Sequence, residues 1–129
     1  MAGIVAESIY SMRNIRSLNI ADNNLYCDGI CALIDAVIKT SSDTFVALDI
    51  SENNFGSKSS RLLGDFLCSD KCRLSTLAVS HGDVDDGECN RFAAAISENG
   101  TLLELDLSHN KLGKLFILVC VYRVLAPSV

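Results

Sequence analysis

The eleven residues Leu102-Leu103-Glu104-Leu105-Asp106-Leu107-Ser108-His109-Asn110-Lys111-Leu112 decide how the rest of the chain is read. Leu105 and Leu107 lie two apart, so both face one side of a short strand while their neighbours face the other. Asn110, just past the strand, can bend the chain inward and bond backbone groups that the turn leaves without partners. Leu102 and Leu112 complete a pattern L-x-x-L-x-L-x-x-N-x-L.

The same pattern recurs upstream. Its copies are Ile15, Leu18, Ile20, Asn23, Leu25; then Phe45, Leu48, Ile50, Asn53, Phe55; then Leu74, Leu77, Val79, Gly82, Val84. The starts Ile15, Phe45, Leu74 and Leu102 are 30, 29 and 28 residues apart. In the third copy Gly82 replaces the Asn and cannot make its side-chain bonds. One loop group left unpaired there costs about 1–3 kcal/mol unless water or Asp83 compensates, so the third unit is expected to be the weakest.

Between copies the period changes. Leu33 and Val37, Leu63 and Leu67, and Phe92 and Ile96 are pairs four apart, the spacing of one helix face. Gly29 and Gly87 are expected to supply the turn into the helix in their units, with Ser59 nearby in the second. Strand, turn and helix of about 29 residues cannot bury their apolar sides alone, but stacked neighbours can.

The segments 102–112 and 15–25 resemble the leucine-rich repeats of ribonuclease inhibitors, with similar repeats in NOD-like receptors, the Ran GTPase-activating protein and the actin-regulating capping-protein linkers. The resemblance spans about residues 4–113. It implies an α/β fold: a right-handed solenoid arc of about four repeats, with parallel strands on the concave side and helices outside. That family's repeats serve many partners, so the resemblance speaks to fold more than to function.

The ends read differently. Val5 and Ile9 precede Ile15 by the spacing that Phe92 and Ile96 keep before Leu102, so residues 1–114 read as a solenoid starting inside an earlier helix. Residues 115–129 form a separate tail, opening with the apolar run Leu115-Phe116-Ile117-Leu118-Val119-Cys120-Val121-Tyr122. It is no amphipathic helix. A membrane span needs about 20 apolar residues, and only fifteen remain here, Arg123 and Pro127 among them. The tail is either an unusual cap or non-native coding from a truncated or mis-spliced gene. The second reading is favoured, because solenoids need polar terminal units and neither end offers one. The expectation is a fragment of a longer array.

Composition narrows the partners. The chain has 129 residues, 49% hydrophobic and 21% charged, and a net charge of −5. That is a globular balance. It argues against nucleic acid and anionic membrane as partners, since both need clustered Lys and Arg. A basic protein surface is the easier partner. With no Lys or Arg in the first twelve residues and Glu7 within the early apolar stretch, no secretory signal is read. Cytoplasmic residence with six reduced cysteines is therefore expected. Asn99-Gly100-Thr101 matches a glycosylation acceptor but is read as a helix-to-strand loop.

Candidate site residues come from the outward strand positions. Aligned across the units, one column holds Asn19, Asp49, Ala78 and Asp106. The column before it holds Ser17, Ala47, Thr76 and Glu104, and the one after it Ala21, Ser51, Ser80 and Ser108. The column before the Asn slot holds Asp22, Glu52, His81 and His109. Asn19, Asp22, Asp49, Glu52, His81, Glu104, Asp106 and His109 are the partner-binding candidates, and Asn23, Asn53 and Asn110 the structural ones. An acidic face for a basic partner and an ordinary solvated sheet surface both remain open, for no Trp or Tyr anchors these columns.

His81 and His109 should lie about 5 Å apart across neighbouring strands. With Glu52 one coil further they could in principle ligate zinc, but solvent-facing side chains are the preferred reading and no metal or other cofactor is assigned. Ser108 and His109 point to opposite sides and cannot pair as nucleophile and base. Cys27 and Cys31, and Cys68 and Cys72, are four apart at different places in the repeat and read as ordinary buried or half-buried thiols. No phosphate loop or H-E-x-x-H motif occurs. The chain is thus expected to be a non-enzymatic protein-interaction module or scaffold with no small-molecule site. The alternative is a piece of a regulatory sensor or GTPase activator.

Overall fold

A computed structural model of the protein describes residues 14–41, 43–82 and 86–110, with the side chains of residues 41 and 86–91 left aside. The expectations for residues 1–13, Asp83 and Val84, and residues 111–129, including the tail, lie outside the described residues.

Strands and helices alternate: β1 (Ser17–Asn19), α1 (Cys27–Ser41), β2 (Ala47–Asp49), α2 (Ser57–Cys68), β3 (Thr76–Ala78), α3 (Asp86–Glu98) and β4 (Glu104–Asp106). The strands form one open parallel sheet in sequence order. Leu18, Leu48, Leu77 and Leu105 are mutual partners along it. The four-unit α/β repeat expected from the sequence is therefore what forms.

Each strand packs beside the next strand and each helix beside the next helix, the nearest-neighbour pattern of a solenoid. Apolar side chains fill the space between the two layers. Leu48, Ile50, Leu77 and Val79 from the strands meet Leu33, Val37, Leu63, Leu67, Phe92 and Ile96 from the helices, all at most 2% exposed. The pairs four apart are therefore the inner helix faces. Phe55 and Phe92 meet edge to face, ring centroids 6.0 Å apart. In the outer described coils Leu18, Leu102, Leu105 and Leu107 are only half-buried. No helix among the described residues is long and apolar enough to cross a membrane.

The helix starts differ from expectation. Gly29, Ser59 and Gly87 lie inside the first turns of α1, α2 and α3, not in the turns before them. The extended chain at Gly56 leads into α2 instead. A glycine near a helix start signals a turn in sequence, yet the first helical turn tolerates it, because its amides have no intrahelical acceptor in any case.

Candidate functional site

The register of the sheet aligns the outward positions as expected. Ser17, Ala47, Thr76 and Glu104 are successive partners, and so are Asn19, Asp49, Ala78 and Asp106. Hydrogen bonding continues past the strands: Asp22 N–H donates to Ser51 O, Glu52 N–H to Ser80 O and His81 N–H to Ser108 O, at 2.8–3.2 Å. Of the eight candidate side chains, Asp49 is half-buried and the other seven are exposed. The column Ala21, Ser51, Ser80, Ser108 does not wholly face outward, because Ser51 is 6% exposed and its hydroxyl accepts from Ser80 N–H at 3.0 Å.

Two features of this surface were not legible in the sequence. Asn19, Asp49 and Asp106 each turn a side-chain oxygen back to the N–H two residues on, at 3.0 Å, closing the end of the strand. Part of the acidic column thus has a structural task, and only the remaining oxygen is left for a partner. Asp22, Glu52, His81 and His109 all adopt left-handed backbone, with φ between 52° and 58°. Asp and His tolerate this better than most residues, and that preference was the available signal. The conformation falls in the turn three residues past each strand end and sets this column along one rim of the sheet.

On that rim the His81 and His109 rings stack, centroids 4.2 Å apart and planes 16° from parallel. Asp106 shares their field. Its carboxyl is held below the usual carboxylate range, first by the Ser108 hydroxyl and N–H, then by the two imidazoles. Ser108 donates its hydroxyl to Asp106 at 2.7 Å, so the hydroxyl faces that carboxylate. Among the described residues no group of three or more His, Cys, Asp or Glu is placed to hold a metal ion. Glu52 and His81 also line an open depression with Asn24, Asn53 and Asn54.

Below this rim runs the Asn ladder. Asn53 Oδ1 accepts from Asn23 N–H and Leu25 N–H in the previous coil, and Nδ2 donates to Ile20 O, Ile50 O and Ser51 O. Asn110 repeats this, accepting from Gly82 N–H and donating to Val79 O, Leu107 O and Ser108 O. Asn23 is exposed and its amide donates to Ala21 O. Towards the previous coil Gly82 offers its carbonyl, which receives Phe55 N–H at 3.2 Å.

Other residues settle into place. Asn99 is 3% exposed, bonded to Leu67 O, Thr101 N–H and Leu102 N–H, so it acts as a buried turn residue. Cys72 is buried, Cys27 and Cys31 are half-buried and Cys68 is exposed; all four are free. Exposed Cys68 departs from the expectation of buried thiols, because it ends α2 on the face turned from the core. Tyr26, 62% exposed in the β1–α1 loop, is an aromatic beside the turn that the strand columns did not reveal.

Comparison with known proteins agrees with this geometry. A family model described as Leucine Rich repeat matches residues 98–114. The ribonuclease inhibitor of Sus scrofa is 24% identical over 98% of this chain and 34% of its own length. The NACHT, LRR and PYD domains-containing protein 12 of Mus musculus is 31% identical over 76% of this chain and 9% of its own length. Thus the chain spans about a third or less of these relatives. The tropomodulin C-terminal domain of Caenorhabditis elegans superposes with a TM-score of 0.55 at 13% identity, covering 92% of this chain and 90% of that one, a likeness of fold.

Proposed function

We propose that this chain, a leucine-rich-repeat protein of the ribonuclease-inhibitor-like type, binds a basic protein surface through its concave strand face and the adjoining rim. The observation that carries the reading is that Asp49 and Asp106 share one strand column of the parallel sheet, with Glu104 in the neighbouring column and Glu52 on the adjoining rim. Among the described residues these carboxylates form no ion pair, whereas Lys39–Asp35 and Lys58–Asp28 pair on the helices. A preformed face of unpaired acid steers a cationic partner and fixes its register. The ribonuclease inhibitor relative, by its name, acts on a protein, which fits this use of the fold. The interaction is non-enzymatic, with no cofactor.

A second reading is that the repeats serve a larger regulatory sensor. The match to a NACHT-containing relative favours it, and in that protein they would position a ligand for other domains. The 1–114 solenoid and a separate 115–129 tail remain part of either proposal.

The test is affinity purification from cells expressing the wild type, Asp49→Lys/Asp106→Lys, or the helix-side control Asp65→Lys. The concave variant should lose specific partners at least about tenfold while the control keeps them. Identical partner sets for all three proteins would refute the concave-face reading.

A further inference from the structure

The joint between the first two coils holds two thiols and a buried hydroxyl. Cys27 opens α1 and Cys31 lies one turn on; both thiols are free and half-buried. Cys27 Sγ accepts from Ser59 N–H at 3.3 Å and from the Ser59 hydroxyl at 3.2 Å, in the first turn of α2. Cys31 Sγ lies 3.6 Å from the same hydroxyl, which is also 3.3 Å from Cys27 O. Ser59 itself is fully buried.

Gly56, the residue capping α2, makes no side-chain cap bond. A Cβ on it would lie 2.9 Å from both Cβ and Sγ of Cys27. The glycine is thus what lets the sulfur reach the unpaired amides of the helix start, where partial positive charge favours an anion. The single Ser59 hydroxyl proton is shared between Cys27 Sγ and Cys27 O, and its oxygen can accept the Cys31 S–H. The cluster therefore stabilises negative charge on Cys27 more than on Cys31. Burial pushes the Cys27 thiol up, but hydrogen bonds from Ser59 and the Lys58 N–H outweigh it and leave it below its ordinary value. Burial, then the charge of Cys27, pushes Cys31 up; burial, then Glu98 and Asp65, does the same to Cys68.

We propose that the Cys27–Ser59–Cys31 cluster is an oxidation site, with Cys27 the reactive sulfur and small hydroperoxides its substrate class. The thiolate attacks one peroxide oxygen; the S–O bond forms as the O–O bond breaks. For hydrogen peroxide the leaving hydroxide takes a proton from solvent and becomes water. Sulfur loses two electrons and becomes a sulfenic acid, while the peroxide gains them. Condensation with the Cys31 thiol would then form a disulfide and release a second water. It would also require the first turn of α1 to open, because side chains four apart in a helix have Cβ atoms about 5–6 Å apart, beyond disulfide reach. Oxidation would thereby loosen the α1–α2 joint.

The experiment treats the full 129-residue chain with hydrogen peroxide at pH 7 in the presence of dimedone and follows each cysteine by peptide mass spectrometry. Cys27 should be labelled about three- to tenfold faster than Cys68, the gain in thiolate fraction being partly offset by lower nucleophilicity. Ser59→Ala should slow Cys27 towards the Cys68 rate. Cys31→Ser should raise the final yield of the Cys27 adduct, since no second thiol consumes the sulfenic acid. Labelling of wild-type Cys27 no faster than Cys68 overturns the proposal. So does an unchanged Cys27 rate in an S59A variant that still melts cooperatively. If S59A does not fold, the wild-type comparison alone decides.

Discussion

Coil two and coil three carry the same strand and turn, yet they hold that turn by different means. In coil two Asp49 closes the strand end onto Ser51 N–H and Asn53 stitches the turn to coil one with its buried amide. Coil three has Ala78 and Gly82 at those two positions. It borrows what it lacks: Ser80 N–H turns to the Ser51 hydroxyl of coil two, and Gly82 N–H to Asn110 Oδ1 of the next coil. Among the described residues no acceptor faces Asn53 N–H, the group equivalent to Asn23 N–H, which Asn53 itself receives. The difference teaches that a repeat can lose both polar stitches where a stitched coil lies on either side.

The largest expected effect tests the stitched coil. Asn53→Ala should destabilise the protein by about 2–4 kcal/mol in urea unfolding, because it strands several buried backbone groups at once. A loss no greater than that of Asn23→Ala would break the comparison.

Gly82→Asn should sharpen it from the other side. By offering an acceptor to Asn53 N–H, it should stabilise by about 1 kcal/mol in the same assay. Destabilisation would show instead that Gly82, buried without a positive φ, is there for close packing.

A smaller change is expected at the outer coil. Asn23 is exposed and bonds within its own turn, so Asn23→Ala should cost about 0.5 kcal/mol or less by thermal melting.

The smallest effect concerns pH. The folded Asp106 carboxyl titrates below its unfolded value, chiefly through Ser108. Its contribution is therefore present above the unfolded value and lost as pH falls through the folded one. Ser108→Ala should raise the Asp106 titration midpoint in an NMR titration and shrink the loss of stability in acid by at most a few tenths of a kcal/mol, since the site is largely exposed. An unmoved midpoint would mean that the Ser108 contact does not hold in solution.

The repeat itself was legible from residues 15–112, because apolar spacing of two and four reports directly which side chains share a face. Strand register follows from the same alignment, so Asn19, Asp49, Ala78 and Asp106 fall into one column by spacing alone. The helix starts mislead at Gly29, Ser59 and Gly87, where a residue type suited to turns sits inside a first helical turn. The dual role of Asp49 and Asp106 was not legible, since a carboxylate in sequence does not say whether its oxygen meets solvent or the N–H two residues on. Nor was the left-handed rim, which is a backbone property shared by Asp22, Glu52, His81 and His109 despite their differing side chains.

By itself, then, the sequence determined the repeat, the parallel order and the inner faces, because these depend on periodicity that each unit carries locally. Only the tertiary structure decided which polar atoms meet across the coils. The stacking of His81 on His109, the stitching by Asn53 and the Cys27–Ser59–Cys31 joint each bring together groups about thirty residues apart. Sequence alignment can put such groups in register, but ångström-scale approach and hydrogen-bond direction depend on how each coil stacks on the next.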